Sequence, residues 1–468
     1  MNSQTLRELR YNKNITLTDL ASNLPIQKKR LRVLERELEE PTEDELLIFS
    51  KFYNVDLQLI KINWKKDSKV IGEGYVTAQS KEFQVFEPID NFEIENRVPV
   101  LDLFCGIGGL SYGFEQTDNF ITVAGLDLLE DRIRTFQLNH PHAYGFLFDI
   151  RKFSPSIIDS HLKHKPKIIV GGAPCQGFSS IRPFRTLSVD DQRNNLFHHF
   201  AEYVDYFAPE WFVFENVVGL LTHKKGKTLQ ILLKEFSSLG YKVSFKVLNS
   251  AYYGTPQLRE RLIIVGNRNG IEFNFPKATH YFDDFNSMAG NRNVHIVKPD
   301  KLNGCKPGVT VFDAINDLSP IESGDSSKKY INEPQNKYQE YLRKDSVGLN
   351  NHDATKHTEK IMEIIRQSGY NIESVKHLVT SGFSSCYSRL EPGRPSVTLT
   401  VNFVNPSSNK CIHPTQNRAL SPREGARIQG FPDKFKFYGS RTQIVKQIGN
   451  AVPPILSNVI AKELFNYY

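Results

Sequence analysis

The sequence predicts an α/β protein built on a doubly wound, mainly parallel sheet, with a smaller irregular domain and an N-terminal all-α domain. Three observations carry this expectation. From Val98 the apolar runs "VPVLDLF", "ITVAGLDL", "KIIVGG", "WFVFENV" and "RLIIVG" alternate with helix-like segments, the pattern of parallel strands covered on both faces. Before residue 60, leucines recur at helical spacing between cap residues. After Gly266 the chain turns polar and rich in Asn and Lys to about residue 390, with few strand signals. The boundaries expected are 1–60 for the helical domain, 61–96 for a linker or partly packed connector, 97–268 for the sheet domain and 269–392 for the smaller domain. Residues 393–468 would complete the smaller domain and return to the sheet.

The elements follow in chain order. Leu6 and Leu9 suit one helix face, Thr16 can cap a helix carrying Leu17, Leu20, Ala21 and Leu24, and Leu31 and Leu34 fit another. Thr42 can cap the run Leu46, Leu47, Phe49, Phe52. Four or five such short helices resemble the phage-repressor type of helix-turn-helix domain. The basic cluster Gln27, Lys28, Lys29, Arg30 and Arg32 would lie on its recognition helix, where phosphate and base contacts are made. Pro25 stands where such domains usually carry glycine in the tight turn. A small helical bundle that docks on the rest of the protein is the competing reading.

Composition narrows the class. A chain of 468 residues with 39% hydrophobic and 24% charged residues fits a soluble globular protein of about three domains rather than a disordered or fibrous one. No apolar run approaches the roughly 18 to 20 residues of a membrane span, and "MNSQTLRELRYNKN" has no apolar signal core. A cytoplasmic location with no membrane partner is expected. The cysteines, Cys105, Cys175, Cys305, Cys386 and Cys411, include no C-x-x-C pair, against a disulfide framework and against a structural zinc site. No metal is expected. The net charge of +7 is compatible with a nucleic-acid partner without requiring one.

Several short stretches carry chemistry. In "IIVGGAPCQGFSS", a buried strand leads into small residues, and Pro174 stiffens the turn that presents Cys175. "LDLFCGIGGLSYGFE" follows a strand with Gly106, Gly108 and Gly109, which lets backbone amides approach a ligand closely. It lacks the full G-x-G-x-x-G spacing, so a dinucleotide-dependent hydride-transfer enzyme is one rival. Asp127 ends the next strand, where an acid typically binds ribose hydroxyls, and Asp149 follows the third. An adenosine-containing cofactor fits all three, although an acid at a strand end is otherwise usually a helix cap. "FVFENVVGLL" places Glu215 and Asn216 after four apolar residues, and "PQLRERLIIVG" sets Arg259 and Arg261 on one side of an extended chain. "RIQGFPD" and "QIGNAVPP" come late, the latter with Asn450 in a stiff turn before a helix.

The ordered set DLFCGIGG, GGAPCQGFS, ENV, QLRER, RIQGFPD and QIGNAVPP closely resembles the DNA (cytosine-5)-methyltransferase family, of the bacterial restriction-modification type. The resemblance runs from about Val98 to the C-terminus, with a variable gap of about 120 residues before "RPSVTLT". It implies a Rossmann-like, S-adenosylmethionine-dependent methyltransferase acting on double-stranded DNA. It also implies that Cys175 attacks C6 of a flipped cytosine, that Glu215 holds the exocyclic amine and N3, and that Arg261 contacts O2 with Arg259 in support. Phe104, Gly106, Gly108, Gly109, Leu110, Asp127, Asp149, Pro174 and Asn450 would surround the cofactor. Where the family often has glutamate followed by tryptophan, this chain has Asp127 and Leu128. Residues 269–392 would be the target-recognition domain, and the N-terminal domain would contact operator DNA and repress its own operon. A cognate restriction endonuclease would be a genetic rather than a physical partner. Two alternatives remain: the tRNA-methylating branch that shares these motifs, and a DNA-binding regulator whose methyltransferase part is inactive.

Overall fold

The computed structural model describes residues 5–13, 15–35, 40–60, 83–90, 93–173, 196–282, 295–301, 304–379, 382 and 384–468. Helices α1 (Leu6–Asn12), α2 (Leu17–Asn23), α3 (Lys28–Glu35) and α4 (Glu43–Tyr53) form the N-terminal unit. The Thr16 hydroxyl accepts from the Asp19 amide while the Asp19 carboxylate accepts from the Thr16 amide, and Thr42 and Glu45 repeat the exchange. Both caps satisfy amides that a helix start leaves open. Leu9, Leu20, Leu31, Leu34, Phe49 and Tyr53 bury together, and a buried Arg10–Glu35 ion pair at 2.7 Å joins α1 to α3. Leu47 stays outside this core, 45% exposed. Pro25 replaces glycine without strain, because the turn between α2 and α3 uses no positive φ and Leu24 is extended at φ −120°, ψ 147°. That is the conformation a following proline imposes.

Eight strands form the sheet: β1 (Phe83–Phe86), β2 (Val98–Leu103), β3 (Phe120–Asp127), β4 (Tyr144–Phe148), β5 (Ile168–Gly171), β6 (Trp211–Val217), β7 (Lys242–Asn249) and β8 (Glu260–Asn267), in the order β1-β4-β3-β2-β5-β6-β8-β7. Strands β2 to β6 run parallel, so a mainly parallel sheet is what forms. The later helices are α5 (Gly109–Glu115), α6 (Glu130–Asn139), α7 (Ser156–Asp159), α8 (Leu196–Phe207), α9 (Lys227–Ser238), α10 (Val311–Ile315), α11 (Lys337–Arg343), α12 (Glu359–Gln367), α13 (Pro422–Ile428), α14 (Arg441–Asn450) and α15 (Pro454–Phe465).

The central strands are apolar along their whole length because helices cover both faces. Ile168, Val170, Trp211 and Val213 pack with Phe114 of α5 and Leu456, Ile460 and Leu464 of α15. The intervening Ile169, Phe212 and Phe214 point the other way, onto Phe200 of α8 and Leu232 and Phe236 of α9. This is the two-residue alternation of a strand.

Three features of the sheet depart from the sequence expectation. "RLIIVG" is a strand, but β8 runs antiparallel to both β6 and β7. Its amino end therefore lies where β6 has its carboxyl end, and Arg261 pairs in register with Val217. "KVSFKVLN" forms the outer strand β7, with its first five residues only partly covered. Phe83–Phe86, inside the segment expected to be a linker, adds β1 antiparallel to β4 and stacks Phe83 on Phe148 at 5.5 Å.

A second core joins α10, α13 and α14 through Val311, Ala314, Ile428, Ile444 and Ile448, with Leu399, Phe403, Phe431 and Phe435 between them. It contains fully buried arginines, each held by acids or carbonyls. Arg427 donates to Asp433 Oδ1 at 2.9 Å and Oδ2 at 2.6 Å, and to Asp317 Oδ1 at 2.5 Å. The arginine and the aspartate of "RIQGFPD" are thus partners in one buried cluster with Asp317, all with fully covered side chains. Breaking such a cluster from one side leaves buried charge without its counterion. Arg427→Met is expected to lower the unfolding free energy by about 3–5 kcal/mol, read as a reduced urea midpoint; a midpoint equal to the parent's would refute this account.

Candidate active site

A cavity of about 880 Å³ opens at the carboxyl ends of the parallel strands, within the size range of small-molecule sites and where a doubly wound sheet gathers its ligands. Its wall combines the loop after β2, the ends of β3, β4 and β6, the start of β8, residues 398–401 and the stretch 446–452. Asp102 and Val452, 350 positions apart in sequence, thus meet around one space.

The loop after β2 turns through three left-handed residues, Phe104 (φ 56°), Gly106 (φ 55°) and Gly108 (φ 81°). Asp127 at the tip of β3 fixes this loop: Gly106 N donates to its Oδ2 at 3.0 Å and Leu129 N to its Oδ1 at 3.0 Å. A side chain at Gly106 would meet nothing within 4 Å, so the backbone there faces open space. Gly109 is needed for a different reason, since a Cβ would lie 2.5 Å from Val452 O. Phe104, Gly106, Gly109, Leu110, Asp127, Asp149 and Asn450 all line the cavity. Gly108 is set back from this wall; its missing side chain makes room for the rings of His140 and Phe136. Pro174 and Cys175 lie outside the described residues.

Charge is concentrated in this half of the cavity. Burial raises the Asp127 carboxyl above the usual aspartate range, against the pull of Arg132. Burial also pushes the neighbouring Asp102 up to about 7. Asp149 is held below its ordinary range, because hydrogen bonds from Arg151 outweigh its burial; Arg151 Nε and Nη2 reach its oxygens at 2.6 to 3.0 Å. Arg132 and Arg151 line the cavity beside these acids, and Arg132 Nε is buried with no acceptor among the described residues. Motif reading passed over both arginines, because each lies on the helix or turn after a strand, where a lone cation ordinarily means a solvated surface.

The other half is built on the antiparallel pair β6 and β8. Arg261 Nε meets Glu215 Oε1 at 2.6 Å, with both side chains 12% exposed. Burial lowers the Arg261 guanidinium and Glu215 opposes that effect. Glu215 in turn occupies the space a side chain at Gly172 would need: a Cβ there would lie 2.7 Å from Glu215 Oε2. Asn216 donates from Nδ2 to Ala173 O at 3.3 Å and accepts the Val217 amide at 2.8 Å, fixing the chain one residue before Pro174. Arg259 is 2% exposed and donates from Nη1 to Gly449 O at 3.1 Å and Leu399 O at 3.5 Å, so it holds backbone from two distant segments next to Arg261.

Two glutamines that motif reading left without a role extend this brace. Gln257 of "QLRER" accepts the Leu399 amide at 3.0 Å and donates to Gln429 Oε1, and Gln429 of "RIQGFPD" donates to Ala451 O at 2.5 Å. Three motifs thereby share one hydrogen-bonded chain, a relation visible only in three dimensions.

The comparisons with known proteins agree with this architecture. The family model for C-5 cytosine-specific DNA methylases matches residues 98–466. The chain is 33% identical over 363 residues to the Type II methyltransferase M1.HphI of Haemophilus parahaemolyticus, covering 77% of this chain and 85% of that protein. It is 34% identical over 366 residues to the Type II methyltransferase M.NgoFVII of Neisseria gonorrhoeae, covering 77% and 84%. A solved E. coli structure assigned as a prophage-encoded DNA modification methyltransferase superposes with a TM-score of 0.62 at 25% identity, covering 79% of this chain and 99% of that one. The chain belongs to the C-5 cytosine-specific DNA methylase family and is a DNA (cytosine-5)-methyltransferase of the Type II restriction-modification kind.

Proposed function

We propose that this enzyme methylates C5 of cytosine within one short duplex sequence, through a covalent adduct between Cys175 and C6 of a base turned out of the helix. The observation that carries this reading is the Glu215–Arg261 pair, which shares one cavity with Gly172 and Ala173, just before Pro174 and Cys175 in the chain. Cytosine C5 is a poor nucleophile, and addition of a thiolate at C6 converts the ring to an enamine that reacts at C5. Glu215 would hold the exocyclic amine and a proton at N3, and Arg261 would donate to O2, so that charge arising during attack is met by groups already in place. Once C5 carries its methyl group, its proton leaves, the C5–C6 double bond re-forms and the sulfur departs with its electron pair. A base within a duplex cannot reach a buried carboxylate, so it must first be flipped out of the stack.

The cofactor half of the cavity fits S-adenosylmethionine. The family generally uses it, and Gly106 backs onto open space while Asp127 and Asp149 offer carboxylates at the ends of β3 and β4. Phe104, Leu110 and Asn450 would complete the wall, and the bound cofactor supplies an electrophilic methyl group. Its positively charged sulfonium and amine suit a site with buried acids. The polar residues of 269–392 would read base edges. We read the N-terminal unit as a second DNA-contacting module that would repress its own operon; its capped helices and basic α3 support this. A restriction endonuclease would be the genetic counterpart.

DNA from a methylation-free host expressing the chain should show, by bisulfite sequencing, protected cytosines at one short repeated sequence. A Cys175→Ser chain expressed at the same level should show none. Folded protein without protected cytosines would sink the DNA reading, and protected tRNA would replace it. Gly172→Ala tests the geometry separately. The added methyl would displace Glu215 from its position, so methyl transfer should fall about 10²-fold while cofactor binding by calorimetry stays near that of the parent. Unaltered transfer would show that Glu215 is not held where catalysis needs it.

A further inference from the structure

Among the described side chains of the basic helix α3, the cations turn to acids and carbonyls of the same chain. Arg32 Nε pairs with Asp205 Oδ2 of α8 at 2.8 Å, and Lys28 Nζ donates to Ser238 O at the last turn of α9 at 2.8 Å. From α1, Arg7 Nη2 meets Glu202 Oε1 of α8 at 2.9 Å, with side chains only 18% and 9% exposed. Lys234 of α9 returns the contact to Asp19 of α2. Arg30 is held inside the unit by Glu45, at 2.8 Å, and the Lys29 side chain lies outside the described residues. Of the cations expected to meet phosphates, Arg32 therefore meets a carboxylate and Lys28 a helix-terminal carbonyl, where the helix dipole adds negative potential, and Arg7 of α1 adds a contact to a second carboxylate. Partial burial and the charge of Arg32 depress the Lys28 ammonium, which Asp205 counteracts, as befits a cation enclosed between two surfaces.

We propose that the edge formed by the acids of α8 and the carboxyl end of α9 is an internal stand-in for duplex DNA: it seats the N-terminal unit through Arg32 and Lys28, cations that would contact phosphates, together with Arg7, so that this unit binds DNA only when undocked. The seat has the chemistry of a phosphate pair, anionic oxygens spaced along a helix edge, and a polyanionic duplex is the partner that competes for it. Docking and DNA contact then exclude each other, and a high local concentration within one chain favours docking. The inference rests on reading the N-terminal unit as a DNA-contacting module and is independent of methylation.

The test uses the full chain with Glu202→Gln and Asp205→Asn, and a short duplex of A·T pairs only, which offers no cytosine to the methylation site. Affinity is measured by anisotropy across a salt series without cofactor. The released chain should bind about tenfold more tightly, with a salt slope steeper by about 2, as expected for two added phosphate contacts. Adding Arg7→Ala and Arg32→Ala should abolish the gain. A control with the same charge change on the opposite face of the sheet, Asp118→Asn after α5 and Glu463→Gln on α15, should leave affinity near that of the parent. Equal affinity and slope for the parent and released chains would overturn the proposal, as would a gain that survives loss of Arg7 and Arg32 or that the remote control reproduces. Neither result would touch the bisulfite outcome, so failure here and failure of the methylation reading are told apart.

Discussion

A guanidinium buried at the start of β8 ties together chain segments that are otherwise far apart. Arg259 donates to the carbonyls of Gly449 and Leu399; burial and the neighbouring Arg261 hold its guanidinium well below the usual arginine range, with Glu215 opposing them. A buried cation that satisfies backbone oxygens is expensive to disturb from either side, since the oxygens and the cation would each be left without a partner. The cavity depends on it. One wall comes from the loops of the sheet and the other from residues 398–401 and 446–452, and Arg259 with the Gln257–Gln429–Ala451 chain joins the two.

The parts of this structure that were legible in the sequence are those governed by local rules. Buried strands such as β5 and β6 reveal themselves as continuous apolar runs, and the capping threonines Thr16 and Thr42 mark helix starts by chemistry that needs no tertiary context. Strands at the margin of the sheet were harder. β7 carries partly exposed Val243, Phe245 and Lys246, and β1 is four residues long within polar surroundings, so neither shows an apolar run. The direction of β8 left no trace in its composition, because a strand covered on both faces reads the same whichever way it points.

Within the site, position and partner separate in the same way. Asp127 and Asp149 were singled out because strand ends at the ligand edge are where chemistry collects, and Glu215 and Arg261 through the motif resemblance; all four line one cavity. What each of them touches was not readable. Glu215 presses on Gly172, Asp149 is covered by Arg151, and Gly108 leaves room for the ring of His140. The basic helix α3 is the sharpest case. Its charges were plain in the sequence, yet charge alone does not distinguish a partner in another molecule from one in the same chain, and here Arg32 finds Asp205 of α8 and Arg30 finds Glu45 of α4.

The contribution of residues 446–452 to the cavity has a consequence for the order in which the enzyme is made. Chains emerge from the ribosome amino end first, and domains fold as they appear. Strands β1 to β8 can pair long before Asn450 and α15 are synthesised, yet α5 beside the first loop is covered by α15, where Asn458 donates to Gly113 O at 3.1 Å. A nascent sheet therefore leaves an apolar face and half a cavity open to solvent until α15 arrives. Assembly of the methylating site thus waits for α15 to close over α5, after every strand of the sheet has been made.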